Sequence, residues 1–139
     1  MSNFDFTSQI CTTKEQSERL LALGLKKETA DMRYQTHYLD LGGILKECTP
    51  SLEPYPPLNN DRFIPAWSLH RLIEMMPQEI FYEDSTLILG VFGDGVYYAD
   101  NEYGEVFNSF YGNLYDCVVK CIEWLIVKGY FNKKYLEEL

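Results

Sequence analysis

Apolar residues recur along this chain with two different periods, and the change of period divides it. Over 113–128 (NLYDCVVKCIEWLIVK), Leu114, Cys117, Val118, Cys121, Ile122, Leu125 and Ile126 spread around most of a helical circumference. Only Asp116, Lys120 and Glu123 form a polar stripe, so this helix requires cover on more than one side. Asn113 is placed to cap its start, and Gly129 to close its last turn in the left-handed conformation. Before it, over 79–111, come four short runs rich in β-branched and aromatic residues: 79–83, 86–92, 96–99 and 105–111. The gaps hold turn residues, Asp84-Ser85, Gly93-Asp94-Gly95 and the stretch from Asp100 to Gly104, which is the spacing of an antiparallel meander. The run 87–92 is apolar without alternation and predicts a central strand covered on both faces.

The first half is punctuated differently. Thr12 with Glu15, or Thr13 with Gln16, has the spacing of a capping box, and Gly24 follows Leu20, Leu21 and Leu23 as a stop, predicting a helix over 14–23. A second, shorter helix is expected to start near Lys27 and carry Ala30 and Met32 inward, making 13–34 a helical hairpin. Alternation of Tyr34, Thr36 and Tyr38 predicts a strand, with Gly42-Gly43 as a turn. Pro50, Pro54, Pro56, Pro57 and Pro65 then exclude helix and central strand, so 47–66 reads as a long extended loop. The 68–76 segment reads as a short helix with Ser68 as cap, Trp67 stapled to Leu72, and Pro77 as the stop. Asn132 is placed to cap a last turn that points Phe131, Tyr135 and Leu136 inward.

A chain of 139 residues with 46% hydrophobic content fits a single domain. The expected class is α+β: an antiparallel meander of about four strands, with the 113–128 and 68–76 helices packed mainly on one face. The amino terminus lacks a basic and apolar leader pattern, and no run reaches the length of a membrane span, so a soluble cytoplasmic protein is expected. Cysteines 11, 48, 117 and 121 follow no framework spacing, which predicts reduced thiols.

Charge changes the picture more than composition does. The formal net charge is −9, and no Lys or Arg stands between Arg71 and Lys120, where nine acids lie. Outside that segment 12 acids meet 12 bases, so the excess lies in this one segment, seven of whose nine acids fall in the meander. This argues against direct gripping of nucleic acid and fits a cationic protein partner. Six tyrosines (Tyr82, Tyr97, Tyr98, Tyr103, Tyr111, Tyr115) accompany these acids. A meander face left open by the helices would show tyrosine and carboxylate, and the residues put forward for binding are Tyr97, Tyr98, Asp100, Glu102, Tyr103 and Glu105.

Motifs for chemistry are absent. His37 and His70 are the only histidines and neither sits in a nucleophile signature. Cys117 and Cys121 lie one helical turn apart without the two further ligands a closed metal site needs. The acids around Asp94 to Glu105 lack the order of a calcium loop, and Gly90, Gly93 and Gly95 are followed by neither helix nor Lys. No catalytic residue, cofactor or metal is therefore assigned. The leading reading is a non-enzymatic interaction module, with homo-oligomerisation left open. The alternative is a small enzyme or ligand binder with a pocket between the Pro-rich loop and the sheet, near His70 or Tyr98.

Three stretches, CTTKEQSERLLALGL, PAWSLHRLIEMMP and GNLYDCVVKCIEWLIVKGY, together resemble a group of short proteins of gut bacteria and their phages that carry no assigned activity. That likeness implies a shared fold and an origin in a phage or mobile element, not a function. Over LGVFGDGVYYADNEYGEVF the chain is also similar to the SUKH superfamily of toxin-immunity proteins, which implies a glycine-punctuated sheet. The segment QSERLLALGLKKETADM resembles the first half of a ubiquitin-associated module, without the aromatic of its loop.

Overall fold

A computed structural model of the chain describes residues 9–36, 45–50, 63–101 and 104–138. Helix α1 (Lys14–Ala22) starts at Thr13, whose hydroxyl accepts from the Gln16 backbone while the Gln16 side chain accepts from the Thr13 amide, so the second of the two capping boxes is used. After Gly24, at φ +104°, the chain makes a single 3₁₀ turn (Lys27–Thr29) and not the second helix of a hairpin. The reason is tertiary. The Thr29 hydroxyl bonds the Trp67 indole (2.9 Å), and Asp31 takes both the Ser68 amide (2.8 Å) and the Ser68 hydroxyl (2.5 Å). These bonds hold the segment extended, and Met32 opens strand β1 (Met32–Thr36) instead of closing a helix.

Strand β1 is the centre of a three-stranded sheet, flanked by β2 (Leu45–Pro50) and β3 (Phe63–Ala66), both antiparallel to it. The expected loop over 47–66 is thus corrected at both ends. Its prolines still obey the backbone rule, because Pro50 and Pro65 lie on edge strands, where a missing N–H costs no ladder bond. Pro54, Pro56, Pro57, His37 and the Gly42-Gly43 turn lie outside the described residues.

Helix α2 (Leu69–Met75) follows, capped by the Ser68 hydroxyl (3.1 Å from the Arg71 amide) as expected. Then β4 (Glu79–Tyr82), β5 (Ser85–Phe92), β6 (Gly95–Asp100) and β7 (Gly104–Phe110) form a four-stranded antiparallel sheet in chain order, the predicted meander. Helix α3 (Leu114–Lys128) is bounded by Asn113 and by Gly129 at φ +79°, and it crosses one face of the sheet at β6 and β7. Helix α1 packs on α3 and β3, and α2 touches α3. The α+β class and the placement of the helices on one face follow directly.

The core lies between that sheet face and the helices. Leu20, Leu25, Trp67, Leu72, Leu87, Val96, Tyr98, Val118, Ile122 and Leu125 are completely or almost completely buried. On α3 the polar stripe emerges as predicted, with Asp116 and Lys120 exposed and Glu123 paired to Arg19 of α1. Trp124 closes the other flank, with ring centroids 5.1 Å from Phe107 and 5.7 Å from Tyr98. Carboxyl-terminal to α3, the 3₁₀ turn Lys133–Tyr135 bonds back to the loop after α1: the Lys26 amide donates to Tyr135 O (2.8 Å) and the Glu137 amide to Gly24 O (2.7 Å).

Cys117 and Cys121 are free and buried, and burial pushes the Cys121 thiol up to about 12. Cys11 is disulfide-bonded, which corrects the expectation of reduced thiols at that position.

Candidate functional site

The two faces of the meander differ because the helices cover only one of them. On the covered face Ile80, Leu87, Val96 and Tyr98 are buried. The registry places the opposite face in transverse rows: Phe81 with Thr86; Glu79, Ile88, Ala99 and Glu105; Gly90, Tyr97 and Asn108; and Phe92, Gly95 and Phe110. No described segment packs over these rows as a second layer. Phe81 is 83% exposed, Phe92 54% and Ile88 50%. The expectation that 87–92 is covered on both faces is therefore wrong, and its unbroken apolar run serves an open surface on one side.

Glycine explains the shape of this surface. A Cβ on Gly90 would stand 2.2 Å from the ring of Tyr97, and one on Gly95 would stand 2.2 Å from the ring of Phe110. Both rings lie across the backbone of a neighbouring strand, and a side chain at either position would push them away. Phe92 completes the group, stacked on Tyr97 at 5.7 Å and 21°, while Tyr97 and Phe110 stand 6.4 Å apart at 26°. Three rings with shallow mutual tilts form a low aromatic platform. Tyr111, 93% exposed at φ +66°, lies 6.2 Å from Phe110 at its border.

Carboxylates surround the platform. Glu105 is exposed one row from Tyr97, and its carboxylate accepts from the Asn108 side chain (2.9 Å). Glu79, Glu83, Asp84 and Asp94 are exposed on β4 and in the turns. A shallow depression of about 290 Å³ beside the rings is lined by Thr86, Ile88, Tyr97, Ala99, Asp100 and Asn101. Asp100 is half buried there and accepts a hydrogen bond from the Ser85 hydroxyl.

Of the residues put forward from the sequence, Tyr97, Asp100 and Glu105 come together on or beside this face. Tyr98 does not. It is buried on the covered side, donates its hydroxyl to Pro77 O (2.6 Å), and its pKa is raised by desolvation and, less, by Cys121. Period-two alternation separates it from Tyr97. Glu102 and Tyr103 lie outside the described residues. The sequence reading missed Phe81, Ile88, Phe92 and Phe110, which make the surface aromatic and aliphatic more than tyrosine-rich. The signal that finds them is Gly90 and Gly95 inside strands, since an interior strand glycine marks a close approach.

His70 is exposed on α2, 3.9 Å from Glu74. Among the described residues no group of three or more His, Cys, Asp or Glu is placed to hold a metal ion. The pocket envisaged against the Pro-rich loop involves positions outside the described residues. What the geometry defines is an α+β domain with an aromatic sheet face that no described segment covers. Comparison with known proteins gives no match to a family model, to a curated protein or to a solved structure.

Proposed function

We propose that this protein is a non-enzymatic interaction module whose open sheet face docks a cationic surface on a partner protein. The observation that carries the reading is the coincidence of the exposed platform with the one stretch of chain that holds nine acids and no Lys or Arg. Apolar rings supply the desolvated centre of an interface, and the ring of carboxylates supplies orientation and selects against acidic partners. The same charge repels a phosphate backbone, so direct nucleic-acid binding is not part of the reading. No helix of the described residues is long and apolar enough to cross a membrane.

The likeness to short proteins of gut bacteria and their phages supports an origin in a mobile element, within the same reading. A cytoplasmic location stands against the Cys11 disulfide, because disulfides persist mainly in oxidising compartments. Acid quenching of cells followed by alkylation in denaturant decides the point, since Cys11 is buried in the folded protein: labelling of Cys11 places the protein in a reducing compartment, and protection until a reductant is added places it in an oxidising one.

The direct test is a paired pull-down with the wild-type chain and Phe92→Glu, at low and high salt. A basic protein held by the wild type, absent from the variant and released as salt rises supports the reading. Equal capture by both forms, or capture indifferent to salt, rejects it.

A further inference from the structure

Resting on that reading, we propose that the platform selects arginine over lysine in the partner. A guanidinium is planar, weakly hydrated and able to take a carboxylate with two parallel hydrogen bonds, whereas an ammonium is a compact and strongly hydrated charge. Phe92, exposed, with Tyr97 and Phe110, half buried beside it, offers a π surface of shallow relief that suits a planar cation. Glu105 stands on the same face one row from Tyr97, and Asn108 holds one of its carboxylate oxygens while the other remains for a partner. An arginine stacked on Tyr97 therefore finds its counter-ion beside the ring that carries it. No Lys or Arg of the strands occupies that place, since the sheet has none between Arg71 and Lys120.

A second copy of this chain is a poorer occupant. A face-to-face contact between two copies brings together two surfaces that both carry Glu79 and Glu105 and no Lys or Arg of the meander, and like charges across an interface are costly. The partner is accordingly an arginine-bearing segment of another protein, with the apolar part of its side chains covering Ile88 and Phe81.

The test uses fluorescein-labelled oligo-arginine, oligo-lysine and oligo-citrulline peptides of equal length, titrated with the intact protein and read by fluorescence polarisation. Arginine is expected to bind about tenfold tighter than lysine at equal charge, the advantage of a desolvated stacked cation. Citrulline, which keeps the planar group and loses the charge, is expected not to bind. Tyr97→Leu, which keeps bulk over Gly90 but removes the π face, should abolish the preference, and Glu105→Gln should weaken the arginine peptide several-fold. Circular dichroism of each variant confirms that it is folded, and Phe92→Leu serves in place of any that is not. Equal affinity for arginine and lysine with salt-sensitive binding of both overturns the preference and leaves the cationic-partner reading standing. Failure of every cationic peptide to bind overturns both. A preference that survives Tyr97→Leu and Phe92→Leu overturns the assignment to the platform.

Discussion

Tyr97 and Tyr98 are neighbours in sequence and opposites in role. Tyr98 is wholly enclosed between the sheet and α3, near Trp124 and bonded to Pro77 O, while Tyr97 lies across Gly90 on the side that no described helix reaches. One strand thus divides its two aromatic side chains between cohesion and display. Contiguous exposed apolar side chains such as Phe81, Ile88 and Phe92 are characteristic of interaction sites, which is the basis of the proposed reading. In the proposed reading, the rim of carboxylates around them repels acidic partners.

The contrast can be broken from the inside first. Tyr98→Ala removes a fully buried ring and leaves the Pro77 carbonyl unpaired, and is expected to cost about 3–5 kcal/mol in denaturant melts. Trp124→Ala strips the aromatic contacts with Phe107, Tyr98 and Tyr130 from the same layer, with an expected loss of about 3 kcal/mol. A loss below about 1 kcal/mol in either melt would show that α3 is not pressed on this face.

Alkaline pH probes the covered layer without a cavity. Cys121 has a folded pKa of about 12 against 9.0 unperturbed, so the folded state holds its proton more tightly than the unfolded chain does. The sign follows: its contribution is complete below pH 9, and is lost as pH rises from about 9 to 12. Tyr98 acts in the same direction above pH 10, its unperturbed value. Denaturation midpoints should fall across this range, and Cys121→Ala should flatten the first part of the fall. A midpoint independent of pH between 9 and 12 contradicts the burial of both groups.

The smallest expected effect on stability sharpens the comparison most. Tyr97→Ala, one position away from Tyr98, should cost about 1 kcal/mol or less, because its ring is only half buried and its aromatic neighbours Phe92 and Phe110 lie on the open face with it. The same variant should lose capture of a basic partner. A cost equal to that of Tyr98→Ala would mean that the open face is cohesive after all.

Much of this division was legible before any coordinates. The caps at Thr13, Ser68 and Asn113 and the stop at Gly129 are local chemistry, so the bounds of α1, α2 and α3 follow from sequence spacing alone. The meander was legible for the same reason, through Gly93-Asp94-Gly95 and its sister turns. What spacing does not encode is which element covers which face. Lys27–Thr29 looked helical until Trp67 and Ser68, about forty positions later, claimed Thr29 and Asp31. Likewise Ile88 and Phe92 looked like core, because an apolar side chain carries no mark of the face it lies on.

The junction between the loop after α1 and the 133–137 segment has a consequence for how the protein is made. Leu25 pairs with Leu136 across an isolated bridge, flanked by the bonds from Lys26 and Glu137. Synthesis proceeds from the amino end, so Leu25 leaves the ribosome about 110 residues before the partner it pairs with. The bonds from Lys26 to Tyr135 and from Glu137 to Gly24 therefore close only after residues 133–137 have been made. A stalled or truncated product is left with a greasy seam where Leu25 should be covered, which marks it for proteolysis ahead of the finished molecule.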